Sequence, residues 1–196
     1  KIVYKNLVKV FLFSGYVTSL VKEDVKTLEI LQPDFAIRLN GNITYYQNYL
    51  DKISINNLDE EVLLDTLRQS HRLLKFQIIF ALINHEINID RASQEFSLLA
   101  QATFDITLKI AESRIIKKYK IDNLSYSIVA YGRFATSSMT ANSDLDLVFI
   151  YDSKNSNNNS EQKIYIELFR QLIRTLSSKT TKGFMYEVDT KLRPSG

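Results

Sequence analysis

Between residues 1 and 122 the apolar positions recur at the three- and four-residue spacings of amphipathic helices. One long run begins with acidic residues and carries apolar side chains at Leu63, Leu67, Leu74, Ile78 and Leu82. A second run begins after Asp90, a favourable N-cap residue, and ends in a basic turn. Its apolar positions are Phe96, Leu99, Ile106 and Ile110. This pattern predicts a helical region over residues 1–122.

From residue 123 onwards the pattern changes to short apolar runs with the length of buried strands. Three segments have this character, YSIVAYG, LDLVFIY and GFMYEVDTKL. A polar, Asn-rich loop and then an amphipathic helix, with apolar residues at Ile164, Leu168, Leu172 and Leu176, separate the second segment from the third. The order of elements predicts an α+β chain in which a small sheet follows the helical region.

Composition limits the kinds of site that the chain can build. It has 196 residues, no Cys and two His, so a bound metal ion is expected to take oxygen ligands. The net charge of +3 is too small to favour a nucleic-acid-binding protein. The start at Lys1 and the end at LRPSG suggest an excerpt of a longer protein.

The apolar run 11–21 has some features of a signal peptide, but no cleavage site follows and charged residues resume at Lys22. We therefore expect an amphipathic helix there. No run approaches the roughly 18 apolar residues that a membrane span needs. The expected protein is cytoplasmic, without nucleic-acid or membrane partners.

Two carboxylates stand at the start of the second apolar run, in the sequence SDLDLVFIY. Because side chains alternate between the faces of a strand, Asp144 and Asp146 should project together while Leu145 points the other way. Two anionic groups repel unless a cation lies between them, and Mg²⁺ suits such a pair. If the third strand lies beside the second, Asp189 completes a cluster able to hold two metal ions. The alternative, a solvated strand end, stays open at this point.

The first predicted strand closes at Gly132 and is followed by the small hydroxylated residues ATSSMT. A turn of this composition can face an anion with free backbone N–H groups. It lies close in sequence to the aspartate pair, so both elements are able to reach one ligand. The turn is therefore a candidate phosphate-binding element.

The sequence YGRFATSSMTANSDLDLVFIYD, followed later by GFMYEVDTKLRPSG, resembles the glutamine synthetase adenylyltransferases. These bacterial enzymes have two nucleotidyltransferase halves of the DNA polymerase β superfamily; one half attaches AMP to a Tyr of glutamine synthetase and the other removes it by phosphorolysis. The spellings MTANSDLDL and YEVDTKLRPSG resemble the attaching, C-terminal half. The similarity is strong over 125–196 and looser in the helical part.

The resemblance implies a helical N-terminal region over 1–122 and a polymerase β-like core over 123–196, with a small mixed sheet that is incomplete at its C-terminal end. It implies transfer of AMP from ATP to a tyrosine of glutamine synthetase, with two Mg²⁺ ions, in the regulation of nitrogen metabolism. Glutamine synthetase is the implied partner, and a PII-type signalling protein is a further candidate.

Carried over residue by residue, the resemblance implies that Asp144, Asp146 and Asp189 are catalytic and bind Mg²⁺. Nucleotide contacts are implied for a second set, which comprises Gly132, Arg133, Thr136, Ser137, Ser143 and Arg193. Arg193 would either hold phosphate or fix the strand.

The phosphate turn departs from the family pattern. The family usually reads G-K-L-G-G-R-E or G-R-L-G-A-R-E there, and this chain reads GRFATSS. The side chain of Thr136 would either obstruct the approach of phosphate to the backbone, which glycine permits, or donate its hydroxyl to that phosphate. Three hypotheses follow: an AMP-attaching enzyme, which we prefer, a degenerate module that only docks on glutamine synthetase or a PII-type protein, and the AMP-removing half.

Overall fold

The computed structural model describes residues 2–23, 25–31, 35–54, 59–151, 159–180 and 182–190. In chain order, the α-helices of these residues are α1 (Ile2–Phe13), α2 (Gly15–Glu23), α3 (Ile43–Ser54), α4 (Glu60–Ile83), α5 (Ile89–Tyr119), α6 (Gly132–Ala135) and α7 (Asn159–Ser177). Short 3₁₀ turns cover Val25–Ile30 and Phe35–Arg38. The strands are β1 (Tyr126–Ala130), β2 (Leu145–Tyr151) and β3 (Val188–Asp189). The predicted α+β class is confirmed.

Polar side chains cap the N-terminal ends of α2 and α5. The amphipathic segment near the N-terminus is two helices, because Ser14 interrupts it and its Oγ accepts the Val17 N–H at 3.2 Å. The N-cap of α5 is Asn88, whose side chain accepts the Arg91 N–H at 2.8 Å. The prediction that Asp90 caps this helix is therefore wrong. Asp90 lies in the first turn, where its charge suits the helix dipole.

The sheet is mixed and has the order β1-β2-β3 within the described residues. Strands β1 and β2 pair antiparallel, with Ala130 opposite Leu147. Strands β2 and β3 pair parallel, with Leu145 opposite Val188 and Asp146 opposite Asp189. The small mixed sheet that the family resemblance implied is thus confirmed.

The third strand is shorter than the sequence predicted. The sequence predicts a strand over GFMYEVDTKL, whereas within the described residues β3 spans Val188–Asp189, and the last two residues of the predicted strand lie outside them. The backbone before β3 bonds to α7 rather than to β2: the N–H groups of Met185 and Tyr186 both donate to the Leu176 carbonyl oxygen, each at 3.0 Å. These bonds hold the segment against the end of α7 and leave few residues to pair with β2.

One hydrophobic core joins the helices and the sheet. Leu145 and Leu147 of β2 are buried, as are Leu168 of α7 and Ile115 of α5, and all belong to the same cluster. On the same side of the sheet, Phe149 stacks on Phe169 with ring centroids 4.2 Å apart. No helix among the described residues has the length and apolar character that crossing a membrane requires.

Candidate nucleotidyltransferase site

Asp146 and Asp189 lie opposite each other on neighbouring parallel strands. Residues in register on adjacent strands point to the same face of a sheet, and the strands are about 4.8 Å apart. Both residues are half-buried. The sequence required β2 and β3 to be neighbours for these two carboxylates to meet, and the structure makes them neighbours.

Asp144 lies one residue before β2 and is exposed. Burial alternates along this segment: Ser143, Leu145 and Leu147 are buried, whereas Asp144 is exposed and Asp146 is half-buried. This alternation is the pattern expected when the two aspartates share the open face and Leu145 points into the core.

Gly132 lies directly against the Asp146 carboxylate. A Cβ atom built on Gly132 would be 2.2 Å from Asp146 Oδ2, and the residue has φ +56°. The neighbouring Tyr131 N–H donates to the Asp146 carbonyl oxygen at 2.9 Å, which fixes the backbone at this point. Sequence reasoning assigned Gly132 only to phosphate binding and missed that its lack of a side chain makes room for this aspartate.

The segment after Gly132 forms the short helix α6 and a hydrogen-bonded turn. The Thr136 hydroxyl lies 3.1 Å from the Gly132 carbonyl oxygen and 2.7 Å from Ser138 Oγ. A hydroxyl has one proton, so when Thr136 donates to Gly132, Ser138 is the donor to Thr136. The proton of Thr136 then serves the turn itself and is not available to a phosphate. The side chains of Arg133 and Ser137 are exposed, and Ser137 has φ +53°.

The segment between this turn and β2 is held by serine side chains. Ser143 is buried, and its Oγ accepts the Thr140 N–H at 2.9 Å, so it closes a tight turn just before Asp144. On the side of α5, Ser97 Oγ accepts the Met139 N–H at 3.1 Å and Ser93 donates to the Met139 carbonyl oxygen at 3.0 Å. Ser93 and Ser97 are positioning residues that the sequence pattern did not reveal, although their four-residue spacing places them on one face of the helix.

Aromatic packing supports the approach to β3. Tyr186 and His71 are buried and make an edge-to-face contact with ring centroids 4.8 Å apart. Burial raises the pKa of the Tyr186 phenol well above its ordinary value and lowers the pKa of His71 to about 3. Both groups are therefore neutral near pH 7 and serve packing.

The carboxylates suit Mg²⁺ in donor chemistry. Mg²⁺ is commonly held by one or two carboxylates together with substrate phosphates, and Asp146 and Asp189 supply two in register. The described part of the chain contains no group of three or more His, Asp or Glu side chains placed to hold a metal ion. The three-carboxylate cluster with Asp144 stays a prediction, and Arg193 lies outside the described residues.

Helices packed on a small mixed sheet, with paired aspartates beside a glycine turn, define a nucleotidyltransferase-like α+β fold. The family model for glutamate-ammonia ligase adenylyltransferase matches residues 4–196. The chain belongs to this family, and the resemblance seen in the motifs is confirmed.

Several curated proteins named bifunctional glutamine synthetase adenylyltransferase/adenylyl-removing enzyme are similar to this chain. The protein of Brucella melitensis biotype 1 is 35% identical over 192 residues, which cover 94% of this chain and 18% of the relative. That of Ralstonia nicotianae is 32% identical over 136 residues, which cover 69% of this chain and 14% of the relative. That of Psychromonas ingrahamii is 26% identical over 209 residues, which cover 98% of this chain and 22% of the relative. The chain thus spans less than a quarter of the length of these relatives.

Proposed function

We propose that this chain carries the core of a nucleotidyltransferase that moves AMP from ATP to a tyrosine of glutamine synthetase and so regulates nitrogen assimilation. The observation that carries the proposal is the in-register pair Asp146 and Asp189, with Gly132 packed against one member. The names of the relatives support glutamine synthetase as the protein substrate. The spellings MTANSDLDL and YEVDTKLRPSG favour attachment over removal of AMP.

In the proposed reaction the tyrosine phenol oxygen attacks the α-phosphorus of ATP. The new O–P bond replaces the bond to the β-phosphate, so the products are adenylylated tyrosine and pyrophosphate. The phenol must also lose its proton, and Asp189 is the carboxylate that we propose accepts it. Its half-buried position beside Asp146 would hold it in one orientation.

Mg²⁺ held by Asp144, Asp146 and Asp189 would supply the positive charge that offsets the charge of the phosphates. The chain's own contribution is to hold Asp146 and Asp189 on paired strands, with Asp144 one residue before β2. The Leu145 N–H donates at 2.9 Å to the carbonyl oxygen of Glu187, the residue before β3, and so ties the start of β2 to the start of β3. Carboxylates positioned in this way do not have to reorganise during the reaction.

For the phosphates we propose contacts from Gly132, Arg133, Thr136, Ser137, Ser143 and Arg193. The hydrogen bonds of the turn show which described members of this set already have partners and which have exposed side chains. The hydroxyls of Thr136 and Ser143 already have partners within the turn, whereas the side chains of Arg133 and Ser137 are exposed. Among the described members, we therefore expect Arg133 to make the largest side-chain contribution to the binding of ATP, through its charge.

The test uses the full-length protein that contains this chain, with ATP, Mg²⁺ and its own glutamine synthetase. Mass spectrometry should find AMP on a tyrosine of glutamine synthetase, and Asp146→Asn should abolish the modification. If the intact protein attaches no AMP, or Asp146→Asn attaches it at the same rate, the proposal fails. Phosphate-dependent release of ADP from modified glutamine synthetase, lost in the same variant, would instead assign this core to AMP removal.

A further inference from the structure

A cavity of about 420 Å³ lies next to the segment that leads into the aspartate pair. Its walls come from the end of α1, the start of α2, α4, α5 and the four consecutive residues 139–142. This volume is within the range of about 300–1,000 Å³ that small-molecule sites occupy in proteins. We call it the Lys75 pocket, after the one charged residue among the described residues that line it.

The walls of the Lys75 pocket are mostly hydrocarbon. Ile79, Leu82 and Phe96 belong to this apolar lining, together with the buried Met139. Three hydroxyls at the wall have partners within the protein: Ser14 accepts the Val17 N–H, Ser93 donates to the Met139 carbonyl oxygen, and Thr140 Oγ1 lies 3.0 Å from Ser143 Oγ. A ligand for this cavity must therefore present an apolar body.

Lys75 is a half-buried cation without an anionic partner among the described residues. Its Nζ lies 5.2 Å from the centroid of the Tyr16 ring, which is a weak cation–π contact. Arg72, one turn earlier on α4, is already paired with Glu23 at 2.7 Å. Burial lowers the pKa of Lys75, as expected for an ammonium group that loses water and gains no carboxylate in exchange.

An unpaired ammonium in an apolar cavity is satisfied best by an anion that brings its own hydrocarbon. We propose that the Lys75 pocket binds a small organic carboxylate with an apolar body, whose carboxylate pairs with Lys75 and whose chain lies against Ile79, Leu82 and Phe96. This site is separate from Asp146 and Asp189. Residues 139–142, which line the cavity, end two residues before Asp144.

The test is a titration of this 196-residue chain with octanoate, 1-octanol and octylammonium, which share a hydrocarbon tail and differ in charge. The sequence provides two methionines, Met139 in the wall of the pocket and Met185 outside it. With ¹³C-labelled methionine methyl groups, octanoate should shift the Met139 signal and leave the Met185 signal in place. Octanoate should bind about tenfold more tightly than 1-octanol, because only the carboxylate pairs with the ammonium.

Lys75→Met keeps the volume of the side chain and removes its charge, so the preference for octanoate over 1-octanol should disappear. Lys163→Met, at an exposed position of α7, should keep it. The proposal is overturned if no compound shifts Met139, if 1-octanol or octylammonium binds wild type as tightly as octanoate, or if Lys75→Met keeps the preference. The comparison of the three compounds on wild type decides the matter even if the variant does not fold. No nucleotide is present, so the result is independent of AMP transfer.

Discussion

A methyl group added at position 132 would occupy space that the Asp146 carboxylate now fills. Gly132→Ala should therefore displace this carboxylate, and strain at the positive φ should lower the free energy of unfolding by about 1–3 kcal/mol. We expect Mg²⁺-dependent ATP binding, measured by calorimetry, to fall at least about tenfold.

The matched control is Gly15→Ala, because a Cβ built on Gly15 meets nothing within 4 Å. This control should keep both nucleotide binding and stability in urea. Equal nucleotide binding by Gly132→Ala and wild type would show that the contact with Asp146 does not matter to the site.

Asp189 is a proposed Mg²⁺ ligand, and an amide in its place would lack the negative charge that the cation prefers. Asp189→Asn should therefore abolish the stabilisation that Mg²⁺ with ATP confers. Differential scanning calorimetry with and without Mg-ATP measures this effect. Asp90→Asn, at an exposed position in the first turn of α5, should respond to Mg-ATP as wild type does. A normal response from Asp189→Asn would remove Asp189 from the site.

His71 links stability to pH. Burial, and to a smaller extent the charge of Lys75, lowers its pKa from about 6.5 in the unfolded chain to about 3. Between these values the unfolded chain binds a proton that the folded chain does not, so stability falls as the pH falls below 6.5. The loss is about 1.4 kcal/mol per pH unit and ends near pH 3.

His71→Phe keeps an aromatic ring against Tyr186 and removes the titration. Urea unfolding between pH 7.5 and 5 should show a smaller loss of stability for this variant than for wild type. His85→Asn, at an exposed position with φ +61°, should keep the wild-type slope, because Asn tolerates that conformation. Identical slopes for His71→Phe and wild type would show that His71 is not the group responsible.

At the scale of elements, the long helix α5 holds the segment before β2 through a pair of serines. Ser97→Ala would leave the buried Met139 N–H without an acceptor, which costs about 1–3 kcal/mol. We expect this loss in urea unfolding, together with faster hydrogen exchange of the Met139 amide. Ser113→Ala, exposed on the same helix, should change stability by less than about 0.5 kcal/mol. Unchanged hydrogen exchange of the Met139 amide in Ser97→Ala would contradict the proposed role of Ser97 in holding this segment.

The spacing of apolar residues within a segment was enough to predict the helices and strands whose formation depends mainly on that segment. The helices α4 and α5 follow from apolar spacing, and β1 and β2 follow from short apolar runs closed by polar residues. The start of α5 was placed at Asp90 rather than Asn88, because both residue types cap helices and the choice depends on the backbone of the preceding turn.

Contacts between distant residues were harder to predict. The length of β3 depends on Met185 and Tyr186 bonding to the end of α7, which no pattern within the segment reveals. In the site, alternation along β2 correctly indicated that Leu145 faces the core. The contact of Gly132 with Asp146 was missed, because it depends on how β1 returns alongside β2.

At the scale of the molecule, the sheet and the helical region share one core. Besides apolar packing, Tyr126 of β1 donates to Glu112 of α5 at 2.6 Å, and Glu167 of α7 bonds to Lys118 and Tyr119. The sequence placed a boundary at residue 123, and whether the two parts fold separately is open to a direct test.

We expect residues 123–196 produced alone not to fold cooperatively, because the apolar faces of β2 and α7 would lose α5. Thermal unfolding followed by circular dichroism should show a sigmoidal transition for the whole chain and none for the excised part. A cooperative transition in the excised part would establish it as an independent domain.

The parallel pairing of β2 with β3 involves two residues of each strand, and one residue of each is an aspartate of the site. A slip of one residue would turn Asp189 to the opposite face, so the carboxylates meet in a single register. A pairing this short has no further residue pairs to keep the strands together when one pair opens. The Leu145 amide is bonded to the Glu187 carbonyl oxygen, so its rate of hydrogen–deuterium exchange should report how often β2 and β3, and with them the two aspartates, separate.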